Sequence, residues 1–185
     1  MPSPFLYFPD ERLSPAELSA ACLDGHLVGL GDAYIPADAV ETAALRAGSL
    51  GSTLGDTLAA THLSAAWIHG ALHEPPARHT VQRAVARRLH PILGRHLVYR
   101  DLSVDPADLV RIGGCLVTTP ARTLADLVRI GDLLHDRAAH SVSRLQPHLA
   151  DEALAWYLEH PRMPGKRRAI ALLEQLCQGQ DEVTR

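Results

Sequence analysis

Ser14-Pro15-Ala16-Glu17 commits the start of this chain to a helix before any tertiary contact forms. The serine hydroxyl can accept the third helical N–H, and the glutamate can reach back to the serine N–H. Proline at the first helical position loses nothing, because its missing N–H would have had no partner there. The spacing predicts a helix to about Asp24, ended by Gly25 in a left-handed conformation. His26 to Leu30, a Gly31-Asp32 turn and Ala33 to Pro36 then predict two short strands of a β-hairpin. A helix that feeds a small hairpin is the closing half of a winged helix.

Downstream, Val40, Ala43, Ala47 and Leu50 fall on one helical stripe, and Thr61 can cap a short helix carrying Leu63, Ala66 and Trp67. Pro75-Pro76 excludes helix. Strand-like alternation follows in Thr80–Val85 and His96–Arg100, which predicts a hairpin about the loop 87–95. Asp105-Pro106 starts a helical turn, and Cys115–Val117 reads as a short buried strand. Thr119-Pro120 opens a helix with Leu124, Leu127 and Val128 inward and Arg122, Asp126 and Arg129 outward. Three further helices are predicted over roughly 132–145, 149–160 and 166–177. The fold expected is α+β: a helix-plus-hairpin segment over 1–36, a central α+β unit with a small sheet over 37–130, and a helical part of the same domain over 131–185.

Charge divides the chain sharply. Residues 1–77 hold two basic side chains, Arg12 and Arg46, against nine acids, a formal charge of −7. Residues 78–185 hold sixteen against twelve, or +4. Six arginines and no acid lie between Arg78 and Arg100. Such segregation speaks to association rather than to fold. Aromatics make up only 4% of the chain, so Leu, Val, Ile and Ala must build the core. The three cysteines are scattered, with no Cys-x-x-Cys, which favours neither a zinc knuckle nor a disulfide framework and fits a reducing cytoplasm. No apolar run reaches the roughly 18 residues of a spanning helix, so no membrane partner is expected.

Four segments together resemble one family. Gly25-His26-Leu27-Val28-Gly29-Leu30-Gly31-Asp32-Ala33-Tyr34-Ile35-Pro36 is similar to the wing of AbiEi-type antitoxins, transcriptional regulators of abortive-infection (type IV) toxin–antitoxin systems. His62 to Gly70 resembles the helix that follows the winged domain there. Val117-Thr118-Thr119-Pro120-Ala121-Arg122-Thr123-Leu124-Ala125-Asp126-Leu127 resembles the family's most recognisable segment, and Pro164 to Arg168 resembles its tail. The resemblance spans about residues 14–177. It implies a winged helix-turn-helix that binds DNA, and a second domain that neutralises a toxin resembling a nucleotidyltransferase. Relatives carry about three helices before the wing and often arginines within it. This chain has some thirteen residues before the capped helix, and His26, Gly29, Gly31 and Asp32 in the wing. Its helix holds no basic residue, and DNA affinity rests on neutralising phosphates. A degenerate winged helix is therefore expected.

The binding candidates are Arg78, Arg83, Arg87, Arg88, Arg95 and Arg100, with Lys166, Arg167 and Arg168 in the first turn of the last helix. Cations there oppose the helix dipole, which suggests another use. Arg122 and Asp126, four apart, read as a surface ion pair. Eleven histidines invite a metal, yet His62, His69 and His73 have no acid or cysteine at ligand spacing, and neither metal nor cofactor is expected. No hydrolase, zincin, Rossmann or Walker motif is present. The expected function is a non-enzymatic, cytoplasmic, antitoxin-like regulator that binds DNA, a cognate toxin, or both. The alternatives are a module that recognises an acidic protein without DNA and, more remotely, an enzyme acting on nucleotides through Arg122 and Asp126.

Overall fold

The computed structural model describes residues 3–90 and 94–183, with side chains placed up to residue 178. The capping box forms as the sequence requires. Ser14 accepts from the Glu17 N–H, Glu17 accepts from the Ser14 N–H at 2.8 Å, and helix α1 runs Pro15–Leu23. Strands β1 (Leu27–Leu30) and β2 (Ala33–Pro36) pair antiparallel. Gly31 stands at φ +57 in the first turn position, a conformation that primed hairpin turns demand. The chain before α1 adds to this small sheet: Tyr7 exchanges both backbone hydrogen bonds with Tyr34, each 2.9 Å.

Two short helices, α2 (Ala43–Ser49) and α3 (Gly51–Leu54), connect the hairpin to the main sheet. Thr42 caps α2, so Val40 lies before the helix and is exposed instead of joining its buried stripe. Arg46 on α2 is buried as a joint. Its Nε donates to Glu41 at 2.7 Å, and one terminal nitrogen donates to the carbonyls of Trp67 and Leu72 at 2.6 and 2.9 Å.

The main sheet has the order β5-β4-β3-β7-β6, from strands β3 (Leu58–Ala60), β4 (His79–Arg83), β5 (Leu97–Ser103), β6 (Leu109–Ile112) and β7 (Cys115–Thr118). β4 and β5 run parallel, which corrects the expected hairpin. The connection of residues 84–96 is long enough to carry the chain back to the start of the sheet. β4 is buried along its whole length between β3 and β5, as a strand inside a sheet must be. β6 and β7 form a hairpin turned by Gly113 and Gly114, both at positive φ. A Cβ on Gly113 would lie 2.2 Å from the Ala44 carbonyl oxygen, so the turn packs directly on α2.

Helix α4 (His62–Ile68) follows β3, and α5 (Pro120–Val128), α6 (Leu133–Ser143), α7 (Leu149–Glu159) and α8 (Lys166–Val183) complete the chain. Two apolar clusters result. Leu6, Leu30 and Ile35 of the N-terminal sheet join Leu50, Leu54, Leu58, Val81 and Val117 in the first. Leu124, Leu127, Val142, Leu149, Tyr157 and Leu173 build the second. α4 divides its faces between them, with Trp67 and Ile68 in the first and Leu63 and Ala66 in the second. The structure is therefore α+β, with a winged-helix-like helix and hairpin ahead of a five-stranded mixed sheet and a helical layer.

Candidate functional site

The basic stretch does not stay together in space. Arg87, Arg88 and Arg95 are exposed on the connection between β4 and β5, as is Arg78 just before β4, where it donates to the Leu97 carbonyl at 2.6 Å. Arg83 is buried. One of its terminal nitrogens donates to the carbonyls of Val85, Ala86 and Arg87 at 3.2, 2.7 and 3.0 Å, and its Nε pairs with Asp101 at 2.8 Å. Asp101 also lies 3.8 Å from Arg88. It is the local acid that the sequence reading left unassigned, and with Arg83 it fixes the root of the exposed connection. Arg100 is turned to the opposite face, because neighbouring residues of a strand alternate.

The C-terminal cations are mostly engaged in packing. Lys166 donates to the Tyr157 carbonyl at 2.5 Å, and Arg168 donates to the Val128 carbonyl and to Asp136, each at 2.7 Å. Their place in the first turn of α8 is explained by these links to α5, α6 and α7. Arg167 remains exposed.

Arg122 and Asp126 are buried, which corrects the surface pair expected from their spacing. Arg122 donates from Nε to Asp126 at 3.1 Å and from a terminal nitrogen to Asp108 at 2.5 Å, and its guanidinium stacks 4.6 Å from the Trp156 ring centre. Trp156 donates its indole N–H to the same Asp108, and the His160 ring stacks on it at 4.0 Å. Burial pushes Arg122 toward its neutral form, but the two carboxylates outweigh it and raise its pKa. Arg129 reaches Asp126 at 3.1 Å from the next turn. The helix period concealed this arrangement. Residues 122, 126 and 129 share one face, which looks solvent-facing until α7 covers it.

His62 also escaped the sequence reading as more than a flank residue. It is fully buried at φ +52, with Nδ1 3.0 Å from the Thr61 hydroxyl. Burial lowers its pKa to about 4, opposed by Asp126 and aided by Arg100, Arg129 and His135. Among the described residues, no group of three His, Cys, Asp or Glu is arranged to hold a metal ion.

The order of these features matches a known family. The AbiEi antitoxin C-terminal domain matches residues 58–176, from β3 into α8. The chain belongs to the AbiEi antitoxin family. The Arg122–Asp126 hub, the arginine connection and both flanking strands all fall inside the AbiEi domain, whereas α1, its hairpin, α2 and α3 precede it. Membership supports an antitoxin or regulator role in a toxin–antitoxin system. Among solved structures, the crystal structure of RV2827C protein from Mycobacterium tuberculosis is similar at 17% identity, covering 88% of this chain and 70% of that one with a TM-score of 0.36. No curated protein matches. Among the described residues, no helix of this AbiEi protein is long and apolar enough to cross a membrane.

Proposed function

We propose that this chain is a non-enzymatic antitoxin-type regulator of the cytoplasm, whose AbiEi domain holds an anionic surface of a cognate, nucleotidyltransferase-like toxin through Arg87, Arg88 and Arg95. The observation that carries this reading is their exposure on one connection, where Asp101 is the one carboxylate within ion-pair distance among the described residues. Arg78 borders the same connection, and Arg167 is a further exposed cation on α8. Guanidinium forks bind carboxylates and phosphates bidentately, so such a surface suits an acidic partner. DNA is the second reading, and it would use the same arginines, because α1 offers phosphates no cation. On this reading residues 1–36 are a degenerate winged segment, 37–130 the central α+β part and 131–185 the helical part of the same domain. It assigns no cofactor.

Converting Arg87, Arg88 and Arg95 together to alanine tests it. Against an acidic toxin, the triple change slows association at low salt and changes dissociation less. Against DNA, it flattens the salt dependence by up to about three units, near 0.9 per phosphate lost. A folded triple variant that kept wild-type affinity and salt dependence toward both partners would overturn the proposal.

A further inference from the structure

Strand alternation separates Arg100 from the arginines around it. Tyr99 and Asp101 face the side of Arg83, whereas Arg100 lies beside Gln82 in register and shares its face. On that face the charges acting on Arg100 are Arg129 and Asp126 of α5. The same two residues act on His62 at the start of α4, together with Arg100 itself and His135 of α6. Helix α4, strands β4 and β5 and the end of α5 thus contribute His62, Gln82, Arg100 and Arg129 to one neighbourhood. There Gln82 pairs in register with Arg100, Arg129 holds Asp126 at 3.1 Å and the His62 ring lies 6.4 Å from that of His135.

Each of these four side chains carries a buried nitrogen without a hydrogen-bond partner: Nε2 of His62, Nε2 of Gln82, and Nε of Arg100 and Arg129. Two acceptors there, the Gln82 Oε1 and the Asp126 Oδ1, also lack a hydrogen bond, although the latter lies 3.1 Å from Arg129. Buried polar groups are ordinarily paired, and a convergent set that is not paired calls for a partner. The charges are unbalanced as well. Arg100, Arg122 and Arg129 share two carboxylates, Asp108 and Asp126. Among the described residues Arg100 has no carboxylate within 4.0 Å, and burial and Arg129 both press its pKa down, with Asp126 opposing.

We propose that Arg100 and Arg129, backed by His62 and Gln82, form a binding site for one phosphate-class oxyanion. A dianion would be balanced by Arg100, whose charge is otherwise unmatched, and by a proton taken up on His62. The groups facing His62 are Asp126, Arg100, Arg129 and His135, and a bound anion would screen the cations among them. This site lies on the other face of the sheet from the Arg83–Asp101 pair that holds Arg87 and Arg88, so it stands apart from that part of the proposed partner surface.

Titrating the full chain with inorganic phosphate, followed by calorimetry and by the His62 ring resonances, tests the site. Saturable one-to-one binding is expected, with the His62 pKa rising by about a unit or more as Arg100 is neutralised. Arg100→Gln should weaken binding at least about tenfold, and Arg100→Lys should restore part of it. The Arg87, Arg88 and Arg95 triple alanine variant should bind phosphate as wild type does, so failure here is distinguishable from failure of the partner surface. A 5′-mononucleotide that binds more tightly with the same Arg100 dependence identifies a nucleotide phosphate as the source, and equal affinity identifies free phosphate. No saturable response of the wild type below about 10 mM phosphate would overturn the site. So would equal affinity in folded Arg100→Gln. If that variant fails to fold, the wild-type His62 response decides alone.

Discussion

Arg122 joins three elements at once: Asp108 in the turn after β5, Asp126 one turn along α5, and the Trp156 face on α7. Removing its guanidinium would leave the part-buried Asp108 without a counter-ion and the buried Asp126 with Arg129 alone. Arg122→Ala is expected to destabilise the fold by about 3–5 kcal/mol, the range for breaking one partner out of a buried charge network. Arg122→Lys recovers little, because a single ammonium cannot reproduce the two directions of the fork. Urea unfolding checks both. His62 gives the molecule a pH dependence. Burial holds its pKa at about 4, below the ordinary 6.5, so the neutral ring is the folded form. The stability that depends on that form is complete above about pH 6.5 and is lost as the pH falls toward 4, amounting to about 3 kcal/mol. Thermal midpoints measured between pH 7 and 4 should show this loss, and a folded His62→Gln variant should show less of it. Neither role is visible in the residues alone. A charged i, i+4 pair and a helical histidine also occur on surfaces, and only tertiary packing distinguishes these: Trp156 of α7 lies against Arg122, and the His135 ring of α6 lies 6.4 Å from that of His62.

Helix α1 and its hairpin formed where local chemistry placed them. A capping box, a proline at the first helical position and a glycine at the turn act within a few residues of each other, so tertiary structure had little to override. The helix buries Leu18 and little else, and its outer face is acidic or neutral. If α1 met DNA as a recognition helix, new acids on that face would be costly. Ser19→Glu with Ala20→Glu is expected to change any DNA affinity by less than about tenfold, or 1.4 kcal/mol, measured by anisotropy. These exposed positions are a better test than deleting residues 1–36, because Leu6, Leu30 and Ile35 belong to the main core. The strands were less legible. β3 is Leu58-Ala59-Ala60, buried on both faces, so it shows no alternation and no β-branched residue. Alternation did mark β4 and most of β5, but alternation carries no direction, and their parallel pairing could not be read from it.

The whole molecule is tied through α4, whose residues enter both apolar clusters. The two tryptophans report on them separately, Trp67 from inside the first and Trp156 from the edge of the second. Because α4 cannot lose one cluster without exposing the other, one cooperative transition is expected. Single-tryptophan variants made by Trp67→Phe and Trp156→Phe should each unfold with fluorescence and circular dichroism coincident, and separated midpoints would show that the clusters unfold independently. At this scale local chemistry already set the helices with strong caps, the N-terminal hairpin, the α+β class and the split of charge between an acidic and a basic half. Those properties depend on residues near in sequence or on sums that no fold can alter. Tertiary structure decided which of the charges are free. Arg83, Lys166 and Arg168 became internal ties, Arg122 and Asp126 went inside, and Arg100 crossed to the far face of the sheet. The physical reason is that these cations reach across to other elements, Lys166 to Tyr157, Arg83 to Asp101, Arg122 to Asp108 and Arg168 to Val128, and no local pattern specifies how those elements pack.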